Sequence, residues 1–244
     1  MARVVLVTGA SRGIGREVAR QFALAGDHVA INCRQHKRLA EELAEELRQA
    51  GGRAEVFPAD IADRSQVLQM IGQISRTLGR VDVLVNNAGF AQQKLFTEIS
   101  EAEWLDMFAV HVNGAFHCCQ AVLPHMIRRQ SGRIINISSI WGLVGASCEV
   151  HYSAAKAALI GMTRALAKEL GPSGIQVNCI APGVIDTEMN QEFDQQTRDE
   201  LADQIPLGRF GTPGDIARTA FFLASDQADY LTGQVISPNG GMVV

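Results

Sequence analysis

The chain has 244 residues, 47% of them hydrophobic, which is enough to bury one sizeable core. Its formal net charge is −4, which excludes a broad cationic surface for nucleic acid. No apolar run approaches the roughly 20 residues that span a bilayer, and a strand pattern starts too early for a signal peptide. Five cysteines without zinc-ligand spacing indicate reduced thiols and no metal site. We therefore expect a cytoplasmic protein without nucleic-acid or membrane partners.

Short apolar runs alternate with helical patterns along the chain. Strands are predicted at residues 4–7, 28–33, 53–57, 81–85, 133–137, 175–180 and 235–236. Helices are predicted at residues 14–25, 37–50, 65–78, 101–129, 150–170 and 214–224. This alternation predicts an α/β fold, a single Rossmann-type doubly wound parallel sheet with helices on both faces. We expect one domain over residues 1–244. Its least regular stretch, about 187–212, is predicted to be a substrate lid, the alternative being a mobile surface insertion.

A glycine-rich turn follows the first strand and opens the first helix. Glycines there let the backbone approach a pyrophosphate, whose charge lies at the helix N-terminus. The position of this turn makes it a strong indication of a dinucleotide site. The cofactor-binding residues predicted from it are Gly9, Ser11, Arg12, Gly13, Ile14 and Gly15.

The second strand indicates which dinucleotide is bound. NAD sites usually place a carboxylate at its end, whereas this strand ends in Arg34. Arginine binds a phosphate bidentately, and Arg12 adds a second cation. We therefore predict NADP(H), with Arg12 and Arg34 recognising the 2′-phosphate. The alternative for Arg34 is a solvated charge at a strand end.

A tyrosine and a lysine lie one helical turn apart in the predicted helix 150–170. Tyr152 and Lys156 share a helix face, and Ser139 precedes Tyr152 by thirteen positions. A cation beside a phenol favours the phenolate, so we expect Lys156 to lower the pKa of Tyr152. Such a tyrosine exchanges protons near neutral pH.

With these residues in place, the chain resembles the short-chain dehydrogenase/reductase family over its whole length. The motifs that carry the resemblance are Thr8–Gly15, Asn86-Asn87-Ala88-Gly89, Asn113, Ser139, Tyr152-x-x-x-Lys156 and Pro182-Gly183. The resemblance implies that Ser139 holds the substrate carbonyl oxygen and that Tyr152 protonates it. Lys156 would also bind the nicotinamide ribose, and Asn113 would anchor a water that relays protons to Lys156. Further implied cofactor contacts are Asp60 and Ile61 at the adenine, Asn87, Ala88 and Gly89 on the floor, and Pro182, Gly183, Ile185 and Thr187 near the nicotinamide.

Within the family, the overall likeness is to bacterial 3-oxoacyl-acyl-carrier-protein reductases. It implies NADPH-dependent reduction of a 3-oxoacyl thioester to an alcohol, acyl carrier protein as a candidate partner, and a homotetramer packed through helices 101–129 and 150–170. The arginines that dock the carrier in that group correspond to Gln130 and Ser173 here. Arg128 and Arg129 are the neighbouring cations that would have to substitute for them.

A local likeness around residues 138–150 is to reductases of 5-aminopentanone-modified elongation factor P. That substrate is a ketone ending in an amine, and Glu149 is hypothesised to attract the amine. The alternative for Glu149 is an acid that stabilises a helix start. The other predicted substrate residues are Ser139, Trp141, Val144, Cys148 and Met189. A non-catalytic NADP(H)-sensing protein is a remaining alternative, although binding alone needs no proton-donating tyrosine.

Three histidines, His111, His117 and His125, lie in one helical region. Their spacing does not give a closed ligand set, so no metal site is predicted there.

Overall fold

The computed structural model describes residues 2–188 and 194–244. Within them, seven parallel strands form one sheet in the order β3-β2-β1-β4-β5-β6-β7. The strands are β1 (Val4–Val7), β2 (His28–Cys33), β3 (Arg53–Pro58), β4 (Val83–Asn86), β5 (Gly132–Ile137), β6 (Ile175–Ile180) and β7 (Val235–Ile236). β1 pairs with β2 on one side and β4 on the other. Strands β2 and β3 therefore extend the sheet in one direction from β1, and β4 to β7 extend it in the other. Ligands of such sheets bind at this switch point.

Nine α-helices connect or flank these strands in the described residues. They are α1 (Gly13–Leu24), α2 (Lys37–Gln49), α3 (Arg64–Thr77), α4 (Glu101–Phe108), α5 (Gly114–Arg129), α6 (Trp141–Val144), α7 (Val150–Leu170), α8 (Gln195–Asp203) and α9 (Pro213–Leu223). A π-helical turn, Ala109–Asn113, joins α4 to α5. The single helix predicted at 101–129 is therefore three segments, and α6 and α8 were not predicted.

Alternate residues along the strands point to opposite faces of the sheet and pack in two separate hydrophobic cores. Val5 and Val7 of β1 point to the face covered by α1, α2 and α9, whereas Val4 and Leu6 point to α3, α5 and α7. Both faces are buried, which explains why the central strands are apolar throughout. Burying one large aliphatic side chain contributes about 1.5–3 kcal/mol, so these two layers hold the strand ends rigidly. The doubly wound α/β fold is thereby confirmed.

Side-chain caps fix where several helices begin. Asp63 accepts hydrogen bonds from the amides of Ser65 and Gln66 before α3, at 2.8 and 3.3 Å. Ser100 and Glu103 form a reciprocal capping box before α4, each bonding the other's backbone amide. Such caps are typically worth about 1 kcal/mol each.

The stretch at 187–212 is more regular than its composition indicates. α8 occupies Gln195–Asp203, and Arg198 of this helix donates a 2.8 Å hydrogen bond to Asp186. Beyond α8, the amide of Leu207 donates to the carbonyl of Gly240 at 3.1 Å. The expectation of an irregular segment is therefore wrong for this part: helical backbone bonds and contacts to the C-terminal glycines order it.

No helix in the described ranges is long and apolar enough to cross a bilayer.

Candidate active site

A cleft opens at the carboxyl ends of β1, β4, β5 and β6. Thr8 holds two of these ends together, because its Oγ1 accepts the amides of Asn87 at 3.0 Å and Ala88 at 3.1 Å. The side-chain amide of Asn87 in turn donates a hydrogen bond to the backbone carbonyl of Thr8 at 2.9 Å. Asn32, at the end of β2, accepts the amide of Gly9 at 3.3 Å. These bonds fix the backbone that forms one wall of the cleft.

Two glycines of the first turn have no space for a side chain. A Cβ on Gly9 would lie 2.7 Å from Cα of Ala88, and the residue has a φ of +63°. A Cβ on Gly15 would meet the Asn87 side chain and would lie 2.6 Å from the carbonyl oxygen of Gly9. The turn is therefore a backbone cradle at the start of α1, which suits a bound pyrophosphate.

The cleft brings together most of the cofactor residues expected from the sequence. Those that line it are Gly9, Ser11, Arg12, Gly13, Ile14, Arg34, Asp60, Ile61, Asn87, Ala88, Gly89, Tyr152, Lys156, Pro182, Gly183, Ile185 and Thr187. Gly15 does not line it and serves instead to pack α1 under the turn. The sequence reasoning missed Asn32, Cys33, Gln35, His36, Phe90, Val110, His111 and Glu188, which also line it.

Two arginines lie at the end of the cleft beside β2. Arg34 forms an ion pair with Asp60 at 3.3 Å, and its side chain is 48% exposed. Arg12 is exposed at the glycine turn. An exposed ion pair of this kind is worth about 0–1 kcal/mol, so an incoming phosphate can compete for Arg34.

Ser139, Tyr152 and Lys156 meet on the floor of the cleft. All three are buried, with exposures of 8%, 9% and 4%. Ser139 follows β5, and its hydroxyl lies close enough to the phenol of Tyr152 to act on the pKa of that phenol. Lys156 donates from Nζ to the carbonyl of Ile137 at 2.8 Å, and its ammonium lies 5.5 Å from the centroid of the Tyr152 ring.

The short helix α6 is pressed against α7 at Lys156. A Cβ on Gly142 would lie 2.7 Å from Oγ of Ser138 and 2.8 Å from the backbone carbon of Lys156. Oγ of Ser138 donates to the Lys156 carbonyl at 2.8 Å. Glycine at 142 thus lets the end of β5 and the middle of α7 approach closely enough for Ser139 to meet Tyr152.

The electrostatics of the trio differ from the expectation. Burial raises the pKa of Tyr152 above its usual value, and the hydrogen bond with Ser139 opposes that rise only in part. Burial also lowers the pKa of Lys156 to about 8. The prediction of a lowered pKa for Tyr152 is therefore wrong, because desolvation of the buried phenol raises it. Tyr152 is protonated at neutral pH, as a proton donor has to be.

The prediction that places Asn113 in the site is corrected by the structure. Asn113 is exposed and lies outside the lining of the cleft that the described residues form. His111, two residues earlier, is 2% exposed and lines the cleft. Met107, His111 and Ala115 form the buried stripe of this helical region, and residues two apart point to opposite sides of a helix.

The predicted substrate residues lie on α6 and the segment after it. The backbone amide of Trp141 donates to Oγ of Ser139 at 3.2 Å, and its ring packs against the cluster that contains Tyr152. Val144 is exposed, Cys148 has a left-handed φ of +62°, and Glu149 is half-buried. These three do not line the cleft. Met189 lies outside the described residues, so its assignment stays a prediction.

Burial raises the pKa of the Glu149 carboxyl, and a long hydrogen bond from Gln93 at 3.5 Å acts against that rise. The amide of Lys94 donates to the carbonyl of Cys148 at 2.7 Å, which ties the segment after α6 to the loop after β4. Glu149 thus lies at the start of α7 without an ion-pair partner in the described part of the chain.

The cations considered for carrier docking lie away from this cleft. Arg129 forms an ion pair with Asp82, directly before β4, and its Nε donates to the carbonyl of Ser131 at 2.7 Å. Both partners precede strands, so Arg129 lies at the amino-end edge of the sheet. Gln130 ends α5 in a left-handed conformation and donates to the carbonyl of Ile127 at 2.8 Å.

The fold and the site together define a Rossmann-type oxidoreductase. Residues 9–243 match the family described as enoyl-(acyl carrier protein) reductase. The 3-oxoacyl-[acyl-carrier-protein] reductase FabG of Staphylococcus aureus is 44% identical over 242 residues, which cover 99% of this chain and 98% of that protein. FabG of Staphylococcus epidermidis is 45% identical, with 99% of each chain covered.

A solved structure agrees with this match. The gluconate 5-dehydrogenase of Burkholderia cenocepacia, in complex with NADP and tartrate, has a TM-score of 0.93 and 35% sequence identity, covering 98% of this chain and 94% of that one. The chain belongs to the short-chain dehydrogenase/reductase family. The predicted family and the predicted enzyme class, an oxidoreductase, are thereby confirmed.

Proposed function

We propose that the protein is an NADPH-dependent ketoreductase that converts a 3-oxoacyl thioester to the 3-hydroxyacyl thioester. The single observation that carries the proposal is the buried hydroxyl pair of Ser139 and Tyr152 with Lys156 beside it. Full-length identity of 44–45% to 3-oxoacyl-acyl-carrier-protein reductases supports the choice of substrate class. The matched family description names an enoyl reductase, but two hydroxyl donors at one point suit an oxygen that gains charge.

Some residues of the cleft would bind the cofactor and the substrate, and others would transfer protons. The cradle at Gly9 and Gly15 fits a dinucleotide pyrophosphate, and the nicotinamide would supply the hydride. Ser139 and Tyr152 would bind the ketone oxygen, and charge developing on that oxygen would be met by donors already in position, worth a few kcal/mol. Tyr152 would then release its hydroxyl proton to the product oxygen. Lys156, charged below about pH 8, would keep the phenol supplied with protons.

The substrate class is tested by following NADPH oxidation with two acetoacetyl thioesters, one on acyl carrier protein and one on coenzyme A. Faster turnover of the carrier-bound form supports a carrier protein as partner. Equal turnover of both forms would fit the loss of docking arginines at Gln130 and Ser173. No turnover of either thioester would contradict the proposed substrate class and leave ketone reduction to be tested on other carbonyls.

Cofactor choice gives a separate prediction. Arg34→Asp is expected to weaken NADPH binding about 10- to 100-fold, because one charge-assisted phosphate contact of about 1.5–3 kcal/mol is lost and a repulsion is added. NADH has no 2′-phosphate, so its affinity should change little. Both dissociation constants are measured by fluorescence titration, with Arg38→Asp as the control because Arg38 is exposed on α2 and forms its ion pair with Glu42 of the same helix. Equal weakening of both cofactors would contradict the assignment.

A second candidate substrate is an amino-ketone, such as elongation factor P modified with 5-aminopentanone. The observation that favours it is the half-buried Glu149, whose carboxylate has no cation paired with it in the described ranges. Burial destabilises an unpaired carboxylate, and a positive charge beside it would stabilise it.

Glu149→Gln is therefore expected to raise KM for an amino-ketone about 10-fold while leaving acetoacetyl-coenzyme A unaffected, since the amide removes one charge and keeps the shape. Glu98→Gln is the matched control, because Glu98 is exposed in the short 3-10 helix Phe96–Glu98. Unchanged KM values for every amino-ketone tested would eliminate this candidate.

We further propose one catalytic domain with a lid at about 187–212, and a homotetramer packed through α5 and α7. The tetramer is supported by apolar side chains left exposed on α5, Phe116 at 42% and Ile127 at 40%. Light scattering on the purified protein measures the oligomeric mass directly.

A further inference from the structure

His151 is a buried imidazole that the reaction proposed above does not use. It directly precedes Tyr152 on α7, and it is 0% exposed. Its Nε2 lies 2.9 Å from Oε1 of Gln92, in the loop after β4. Its Nδ1 is buried and makes no hydrogen bond with any of the described residues. The contact with Gln92 is therefore the one hydrogen bond of this ring in the part of the chain that the structure describes.

The contact with Gln92 continues into a chain of hydrogen bonds that ends at a carboxylate. Nε2 of Gln92 donates to Oε1 of Glu103 at 2.8 Å. Nζ of Lys94 donates to both carboxylate oxygens of Glu103, at 2.7 and 2.9 Å. The hydrogen bonds from Lys94 and Ser100 lower the pKa of Glu103, so this carboxylate is ionised at neutral pH.

The charge on Glu103 fixes the direction of the chain of bonds. An ionised carboxylate accepts hydrogen bonds and donates none, so the side-chain nitrogen of Gln92 faces Glu103 and its oxygen faces His151. Nε2 of His151 therefore carries the proton. Burial lowers the pKa of His151, and the Glu103 carboxylate opposes that effect while Lys94 adds to it. The imidazole is thus a neutral donor to Gln92 at neutral pH.

The loop after β4 forms part of the wall of the cleft. Phe90, near its start, lines the cleft and packs against the cluster that contains Tyr152. The residues at its far end, Leu95 and Phe96, are 55% and 64% exposed. Because these apolar side chains bury little surface, packing alone does not fix the outer part of the loop, and its position depends on hydrogen bonds.

Three hydrogen bonds fix this loop to its neighbours. The bond from His151 attaches Gln92 to α7, and the bond from Gln92 to Glu103 attaches it to the first turn of α4. The backbone amide of Lys94 donates to the carbonyl of Cys148 at 2.7 Å, in the segment before α7. His151 therefore provides the side-chain bond that joins the loop to the helix that carries the proposed proton donor.

We propose that His151 is a positioning residue that holds the loop after β4 at the distance from Tyr152 that a ketone substrate requires. The ring lies outside the lining of the cleft that the described residues form, so it does not contact the substrate itself. Without the bond to Gln92, the loop would have to become ordered when the substrate binds, and this ordering weakens binding. The inference rests on the ketone reduction proposed above and assigns to that reaction a residue that acts on substrate binding.

Two substitutions at His151 separate the hydrogen bond from simple filling of space. His151→Leu keeps an apolar side chain in the buried site and loses the donor, whereas His151→Gln places an amide N–H near the position of Nε2. We expect the Leu variant to raise KM for acetoacetyl-coenzyme A about 10-fold, with kcat within about 3-fold of wild type. Both constants of the Gln variant should stay within about 3-fold of wild type. His125→Leu is the control, because His125 lies near the end of α5 beside Arg80.

Gln92→Leu tests the other end of the bond. It is expected to raise KM by about the same 10-fold, and the double variant with His151→Leu should raise it no further, because the two substitutions remove one bond. Thermal unfolding and NADPH affinity report whether each variant is folded. Increases in KM that multiply in the double variant would overturn the proposal. A loss confined to kcat in His151→Leu would also overturn it, in favour of a role in proton transfer, and an unchanged KM in Gln92→Leu would do so even if His151→Leu failed to fold.

A readout that needs no turnover completes the test. Hydrogen–deuterium exchange of the backbone amides in residues 87–95 is expected to be about 10-fold faster in His151→Leu than in wild type, while the exchange of β1 and β5 stays the same. Equal exchange of the loop in both proteins would contradict the proposal. If the wild-type protein reduced no ketone, the proposed function would fail, and this measurement would still decide whether His151 holds the loop.

Discussion

Tyr152→Phe is expected to lower kcat for ketone reduction about 1,000-fold, because the variant loses the phenol hydroxyl that is proposed to deliver the proton. Removing the phenol oxygen leaves the buried aromatic ring in its cluster with Met107 and Ala155. NADPH affinity and the midpoint of thermal unfolding should therefore remain close to wild type. Steady-state turnover with acetoacetyl-coenzyme A and a cofactor titration measure the two effects.

Tyr230→Phe is the matched control, since the Tyr230 side chain is fully exposed near the end of the sheet. Turnover that survives in Tyr152→Phe would require another proton donor and would contradict the mechanism. Wild-type protein that binds NADPH tightly but reduces none of the ketones tested would favour the non-catalytic, cofactor-sensing alternative.

Lys156→Met is expected to abolish most activity, lowering kcat about 100-fold or more, without a comparable loss of stability. The ammonium is buried, and burial lowers its pKa from 10.5 to about 8, which corresponds to about 3 kcal/mol of destabilisation at neutral pH. Methionine removes this cost and also the hydrogen bond to Ile137, worth about 1 kcal/mol. Urea unfolding at pH 7 should show a free energy of unfolding equal to or above that of wild type.

The sign of the pH dependence gives a sharper check. Between about pH 8 and 10.5 the unfolded chain holds a proton on Lys156 that the folded chain has released, so this group makes the free energy of unfolding rise with pH. The free energy of unfolding of wild type should therefore rise relative to that of Lys156→Met as the pH increases through that range. Lys168→Met, an exposed position on the same helix, is the control. Parallel pH profiles in wild type and Lys156→Met would contradict the buried charge.

The strands and the cleft residues could be predicted because their signals are local. A buried parallel strand is a short apolar run, and a turn such as that at Gly9 and Gly15 needs glycine for reasons of space that hold in any context. Ser139, Tyr152 and Lys156 could be predicted from local signals as well. Ser139 closely follows the end of one strand, and Tyr152 and Lys156 lie on one face of one helix. This is why the site could be anticipated without the fold in hand.

The predictions that failed concern features that depend on packing between segments distant in the sequence. Whether His111 or Asn113 faces inward depends on the buried stripe through Met107, which contacts with Tyr152 and Phe90 set. The prediction of the Tyr152 pKa failed for a similar reason: the sequence shows the neighbouring Lys156, but it does not show the burial that raises the pKa. A signal was present in hindsight, since His111 keeps the four-residue spacing from Met107.

The contact between Gly142 and the backbone of Lys156 divides the chain into parts that tolerate change differently. Upstream of it, a substitution at the end of β5 displaces the proton-transfer residues, so variation there is costly. Downstream, four of the residues 143–149 are exposed, and the segment is bonded to α7 through the amide of Ala146 and to the loop after β4 through the carbonyl of Cys148. Residues 143–149 can therefore vary with less effect on Ser139, Tyr152 and Lys156 than residues at the end of β5.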